Sequence, residues 1–261
     1  DTVSFTGSSE VGRMFMRYSG DSNLKGVGLE MGGKSPFIVL EDAILDDELI
    51  EHAAMSAFWN GGQNCSANMR QLIAAPLVDE FTRRIIERVK AFKLGDPLDP
   101  ATDIGSMITK DHKEMVMSYI QSGLAEGAGM LMGGESDFPG HFIKPTVFEN
   151  VTPEMKIAKE EIFGPVLGII SVENADEALR IASDTDYGLH ATVFTQNIDQ
   201  ALHMARSLPC GTVSVNGFSE GDIKTPFGGY KQAGSLARDN GTEAIEQYLQ
   251  TKTIWVQTKN T

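Results

Sequence analysis

Apolar residues in this chain recur with two alternating periods. Short runs dense in apolar and β-branched residues read as strands: Phe37-Ile38-Val39-Leu40, Gln71 to Ala75, Val166 to Val172, His190 to Thr195 and Gly211 to Val215. Between them, apolar positions return every three or four residues, the period of a helix with one buried face. Asp46 to Trp59 is such a stretch, with acidic residues in its first turn, where a helix dipole favours them. Pro76 to Phe92 opens on a proline, and Asn174-Ala175-Asp176-Glu177 is a capping-box start for a helix reaching Ser183. Asn197 repeats the cap signal before a helix ending at Ser207. Asp111 to Glu126 is a further helix, and short strands fall around Met130 and Ile143. A helix at Thr242 to Leu249 and a β-branched strand at Thr251 to Gln257 end the chain. At its beginning, the strand Asp1 to Thr6, the turn Gly7 to Gly12, a helix to Ser19 and the strand Lys25 to Leu29 make a βαβ unit, which predicts parallel pairing. The alternation predicts an α/β fold with an open, largely parallel twisted sheet and flanking helices.

Composition narrows the function classes. With 22 basic and 36 acidic residues the net charge is −14, the opposite of the basic face that nucleic-acid binding needs. No apolar run approaches the ~20 residues of a membrane-spanning helix, so neither nucleic acid nor membrane is an expected partner. Two cysteines in unlike contexts make no disulfide framework, and the expected compartment is a reducing cytoplasm.

Chemistry enters with Cys65, in Asn60-Gly61-Gly62-Gln63-Asn64-Cys65-Ser66-Ala67. Two glycines strip side-chain bulk from this turn, so an electrophile can come close to the thiol. The thiolate is the most nucleophilic common side chain near neutral pH. Glu30 also lies on glycine-rich backbone, in Gly28-Leu29-Glu30-Met31-Gly32-Gly33. A nucleophile and a carboxylate in such settings suggest covalent catalysis with a separate general base. A free cysteine is otherwise a small buried hydrophobe, which is how Cys210 in Leu208-Pro209-Cys210-Gly211 reads. Two other readings stay open. A cysteine hydrolase or acyltransferase would pair Cys65 with a histidine, but His52, His112, His141, His190 and His203 are scattered outside any glycine-framed motif. The chain could also be a non-catalytic, oligomerising domain fragment. No His/Cys spacing suits a metal such as zinc.

Five segments, in order, carry a resemblance: Phe5-Thr6-Gly7-Ser8, Leu29-Glu30-Met31-Gly32-Gly33-Lys34-Ser35-Pro36, Gly62-Gln63-Asn64-Cys65, Lys159-Glu160-Glu161-Ile162-Phe163-Gly164-Pro165 and Thr225-Pro226-Phe227-Gly228-Gly229-Tyr230-Lys231-Gln232. Over essentially the whole chain they resemble the NAD(P)-dependent aldehyde dehydrogenase superfamily, closest in feel to its aminoaldehyde and betaine-aldehyde types. The resemblance implies that Cys65 attacks the aldehyde carbon, that hydride leaves for the nicotinamide to give a thioester, and that Glu30 activates the water that releases the acid. It implies Gly7 and Ser8 at the cofactor pyrophosphate, Glu161 on the nicotinamide ribose hydroxyls and Phe163 packed beside that ribose, with NAD favoured over NADP. Asn216 is implied near the site, and Phe227 and Trp59 as walls of the aldehyde pocket. Ser219-Glu220-Gly221-Asp222 falls in the loop expected to face the aldehyde entrance, where Glu220 and Asp222 would favour a cationic substrate such as an aminoaldehyde.

The same resemblance sets the expected organisation. Residues 1–32 are the C-terminal part of a cofactor-binding domain, 33–240 a catalytic domain, and 241–261 a return helix with an arm strand that pairs with another subunit in a dimer or tetramer. The chain would then begin inside the cofactor domain, without the strands that hold the adenosine or the asparagine that supplies a second oxyanion donor. Alone it is expected to be inactive. Where the family often shows Ser-Gly-x-Gly-Arg-Glu, this chain has Ala233-Gly234-Ser235-Leu236-Ala237-Arg238-Asp239, and the shorter carboxylate weakens the case for Asp239 as a proton relay.

Overall fold

In the computed structural model, which describes residues 1–235 and 237–259, β1 (Thr2–Gly7), α1 (Ser9–Gly20) and β2 (Gly26–Met31) form the expected unit. β1 and β2 pair in parallel as a separate two-stranded ladder, with Phe5 opposite Leu29 and Gly7 opposite Met31. The chain continues through β3 (Pro36–Val39), α2 (Asp47–Phe58), β4 (Arg70–Ala74), α3 (Val78–Lys90), α4 (Lys110–Ala125), β5 (Gly129–Glu135), β6 (Ile143–Glu149), α5 (Lys156–Lys159) and β7 (Val166–Val172). Then come α6 (Ala175–Ser183), β8 (Tyr187–Gly188), β9 (His190–Phe194), α7 (Ile198–Ser207), β10 (Thr212–Val215), β11 (Tyr230–Lys231) and α8 (Glu243–Glu246).

Seven strands build the main sheet in the order β10-β9-β3-β4-β7-β6-β5, parallel except for the antiparallel β5–β6 edge. Its central strands are buried on both faces: β3 is wholly apolar, while β4 carries Arg70 and Gln71 and β9 carries His190 and Thr192 as buried polar residues. Phe37, Val39, Ile73 and Leu167 meet Leu49, Ala53 and Ala57 of α2 and Phe81, Ile85 and Val89 of α3. Ile38, Leu72, Ile170 and Val193 point the other way, toward Val116 and Ile120 of α4, Ile181 of α6 and Met204 of α7. Local capping starts the helices where the sequence indicates. Asp46 accepts from the Leu49 N–H, Thr109 from His112, Asn174 from Glu177, and Asn197 from Asp199 and Gln200.

The end of the chain departs from expectation. Thr251 to Gln257 forms no strand, and Ile254, Trp255 and Val256 are 77%, 87% and 76% exposed. β-branched composition makes a strand only beside a ladder partner, and none is offered among the described residues. The helix expected over 242–249 contracts to α8, whose N-cap Thr242 makes no capping hydrogen bond and whose Ile245 stays exposed. A helix this short needs packing to persist. The last two residues of the expected arm, 260–261, lie outside the described residues, as does Leu236. A ladder the sequence did not announce joins β8 to β11, and an isolated bridge pairs Glu30 with Gly234.

Candidate active site

Helix α2 ends at Phe58, and after Trp59 the chain turns through left-handed backbone at Asn60, Gly61 and Gly62 (φ 54°, 63° and 70°). Asparagine and glycine are the residues that tolerate this region. At Gly62 a Cβ would stand 2.5 Å from the Gly164 carbonyl oxygen, so the turn can lie against the segment preceding β7 only as glycine. This delivers Cys65 to the amino end of β4. The carboxyl end of β2 brings Glu30, Met31 and Gly32, the turn after β1 brings Gly7 and Ser8, and the segment between α5 and β7 brings Glu161 and Phe163. Together with Thr6, Gln63, Asn64, and His112 and Met115 of α4, they line one cavity of about 540 Å³. Open α/β sheets place ligands outside the carboxyl ends of their strands. β1 and β2 turn their carboxyl ends to this cavity, whereas the large sheet contributes Cys65 from an amino end.

Burial dominates the electrostatics of this cavity. Glu30 is 7% exposed, and neither carboxylate oxygen finds a hydrogen-bond donor among the described residues. Burial pushes its pKa up to about 8, the charge of Asp239 adds to the rise, and Arg238 offsets part of it. Burial likewise pushes Cys65 up to about 11, helped by Glu220, Glu161 and Glu30 and opposed by its own backbone N–H. Glu161 is raised to about 7 by burial, against the Gly33 N–H that it accepts at 3.1 Å and the nearby Lys34 charge. Its carboxylate lies over Gly32, where a Cβ would stand 1.9 Å from Oε2. Lys34 is buried with its ammonium unpaired among the described residues, which draws its pKa down to about 7. Carboxylates poised near neutrality in a closed site are suited to moving protons.

Six of the residues singled out in the sequence meet on this cavity: Cys65, Glu30, Gly7, Ser8, Glu161 and Phe163. Phe163 takes a left-handed φ of 55°, and its carbonyl accepts from His112 Nε2 at 2.6 Å. His112 and Met115 carried no sequence signal, because nothing in a helical period tells which distant turn the helix will cover. The other five residues lie off the cavity wall. Trp59 is 57% exposed at the end of α2. Asn216 clamps Thr195, accepting from its N–H and donating to its carbonyl, both at 2.9 Å. Phe227 exchanges backbone hydrogen bonds with Asp239, and Asp222 accepts from the Lys224 N–H at 2.9 Å. Glu220 alone of these reaches the Cys65 turn, accepting from Asn64 Nδ2 at 2.9 Å and from the Ser66 hydroxyl. Cys210 is half-buried and its thiol is also pushed up to about 11 by burial. Among the described residues no cluster of His, Cys, Asp or Glu could hold a metal, and no helix is long and apolar enough to cross a membrane.

Two residues of the cavity wall offer groups suited to a dinucleotide. Ser8 caps α1 by accepting the Val11 N–H at 3.3 Å, which leaves its own proton free to donate beside the positive end of the helix. Glu161 offers a carboxylate already anchored by one backbone N–H, an acceptor set for sugar hydroxyls.

Comparison with known proteins identifies the family. Residues 1–254 match the aldehyde dehydrogenase family. The chain is 42% identical over 254 residues to the aminoacetaldehyde dehydrogenase of Pseudomonas aeruginosa, covering 97% of this chain and 51% of that protein. It is 46% identical over 257 residues to aldehyde dehydrogenase 1A1 of Gallus gallus, covering 98% of this chain and 50% of the relative. The solved structure of the P. syringae indole-3-acetaldehyde dehydrogenase, in complex with NAD+ and IAA, superposes with a TM-score of 0.96 at 41% identity, over 99% of this chain and 52% of that one. The chain thus spans about half the length of the relatives it matches. With its fold, its glycine-framed cysteine and its match over nearly every residue, the chain belongs to the aldehyde dehydrogenase family.

Proposed function

We propose that the parent protein oxidises an aldehyde to a carboxylic acid with NAD, through a covalent bond to Cys65. The observation that carries this reading is the convergence of Cys65, Glu30, Glu161 and Ser8 on one cavity. When bound, an oxidised nicotinamide supplies a hydride acceptor and a positive charge. Cys65 gives up its proton to solvent and adds to the carbonyl carbon, which then loses its hydride to that acceptor and leaves a thioester. The Cys65 backbone N–H stands ready for the developing oxyanion, a contact worth roughly 3 kcal/mol per well-aimed donor. Glu30 takes the proton of the attacking water, and the acid leaves as the sulfur is released. Glu161 and Phe163 orient the ribose, and Gly7 and Ser8 hold the pyrophosphate against α1. In this reading residues 1–32 belong to a cofactor-binding domain, 33–240 to the catalytic domain and 241–261 to an arm.

The substrate class is an aldehyde with a cationic tail. The negative charge of Glu220 reaches Cys65, Asp222 lies two residues on, and the aminoacetaldehyde dehydrogenase relative supports the same class. In full-length protein, kcat/KM for an aminoaldehyde is expected to exceed that for a neutral aldehyde of equal length by about tenfold, the scale of a local field in a lined cleft. Glu220→Gln combined with Asp222→Asn should erase the difference. Equal kcat/KM for the two substrates in the unmodified protein would remove the substrate assignment and leave aldehyde oxidation standing.

The exposed apolar run Ile254-Trp255-Val256 supports assembly into dimers or tetramers through the arm. Light scattering is expected to give at least a dimeric mass, and a monomer at micromolar concentration would refute the arm's role.

A further inference from the structure

The side chain of Asn64 joins two segments far apart in the sequence. Its Nδ2 donates to Glu220 at 2.9 Å. Its Oδ1 faces the nucleophile, accepting from the Ser66 N–H at 3.3 Å and the Cys65 thiol at 3.8 Å, with the Ser66 hydroxyl oxygen 3.2 Å away. The buried Ser66 hydroxyl also reaches Glu220, so one carboxylate holds the residues on both sides of Cys65. The loop that carries Glu220 is itself pinned. Buried His190 donates from Nε2 to the Ser219 carbonyl at 2.9 Å, and the Phe218 N–H donates to His52 Nδ1 at 3.3 Å.

A primary amide has a donor end and an acceptor end, so its orientation decides which one faces the sulfur. An ionised carboxylate only accepts, and Glu220 can therefore bond only the NH2 end of Asn64. That leaves the amide oxygen for the thiol. A hydrogen bond accepted from S–H favours the neutral form, whereas the flipped amide would offer N–H to a thiolate. The charged groups acting on Cys65 point the same way. Glu220 comes from the 219–222 loop, Glu161 from the segment before β7 and Glu30 from β2, and all three are carboxylates.

We propose that Glu220 is a positioning residue that fixes the Asn64 amide with its oxygen toward Cys65, holding the nucleophile as a thiol while the loop is docked. This rests on Cys65 being the nucleophile of the proposed function. The 219–222 loop thereby couples the aldehyde entrance to the ionisation of the sulfur: displacing Glu220 frees Asn64 to turn its N–H toward a thiolate.

Alkylation of this chain by iodoacetamide from pH 6.5 to 9.5, read by mass spectrometry on the Cys65 peptide with Cys210 as internal reference, tests the idea. Because alkylation needs no turnover, its outcome is separate from that of the aldehyde-oxidation assay. Glu220→Ala is expected to speed Cys65 alkylation at pH 7.5 on the order of tenfold, as a fall of one unit in thiol pKa would, with the pH–rate curve displaced to lower pH. Glu220→Gln loses the charge but keeps an oxygen for Asn64, and it should give a smaller acceleration. In an Asn64→Ala background, Glu220→Ala should add no more than Glu220→Gln does. Equal acceleration by Glu220→Ala and Glu220→Gln would reduce the role of Glu220 to charge alone and overturn the clamp. So would an unchanged rate in both variants, an equal acceleration at every pH, or a parallel acceleration at Cys210, since the last two report access and not ionisation.

Discussion

Cys65→Ser in the full-length protein is expected to lower aldehyde oxidation on the order of 10⁴-fold, about 5.5 kcal/mol of transition-state stabilisation. The change conserves shape but not chemistry. A serine hydroxyl is far less acidic than a thiol, and the groups that act on position 65 electrostatically are carboxylates, Glu220, Glu161 and Glu30, which oppose an anion there. His190 is committed to Ser219, His52 to Phe218 and His112 to Phe163. An alkoxide at this position is therefore disfavoured. The matched control is Cys210→Ser, at a thiol whose pKa burial also raises but which lies off the cavity. Its activity should stay within about twofold, because Cys210 does not line the cavity. Nicotinamide absorbance under saturating aldehyde gives both numbers. Turnover by Cys65→Ser within tenfold of the unmodified protein would end the covalent reading, and with it the distinction from a cysteine-independent dehydrogenase.

The parts of this fold that were legible in the sequence are those written locally. Val166 to Val172 reads as a strand to the residue because every position but Ser171 is buried, so apolar residues crowd both faces. Asn174 and Asn197 mark helix starts because a cap is a contact between near neighbours. Cys65 and Glu30 stood out for the same reason, each framed by its own glycines. Their meeting with Glu161 and Phe163 was legible only through resemblance, since it depends on β7 settling beside β4, and periodicity carries no information about which strands will be neighbours. The bond between Asn64 and Glu220 spans 156 residues and leaves no trace in either segment's pattern. Thr251 to Gln257 shows the converse failure: its composition suits a strand, but a strand is a property of a pair.

Glu30→Gln separates the two halves of the proposed reaction and also carries a pH signature. A glutamine cannot take a proton from water, and loss of a general base costs about 10²–10⁴-fold in rate. If Glu30 serves only the release of the acid, the first turnover survives. Rapid mixing should then show a burst of nicotinamide reduction of about one per site, followed by a slow steady state. Because the Glu30 pKa is raised to about 8, the ionised base accumulates only above that pH, so kcat should climb with pH up to about 8 and level off, and the variant should lose that limb. The same shift predicts a stability effect measurable without any cofactor. Unfolded chains ionise this carboxyl in the usual carboxylate range, whereas the folded chain keeps it protonated until about 8. Between those limits the unfolded state binds fewer protons, so folding stability falls as pH rises toward 8 and is level beyond. The permanently neutral glutamine escapes that loss, and Glu30→Gln should gain in urea midpoint over the unmodified chain steadily from pH 5 to 8. A midpoint difference that stays constant across that range would mean that Glu30 ionises in the fold as freely as in water, and a carboxylate with an ordinary pKa would be a weak base for the water the reaction needs.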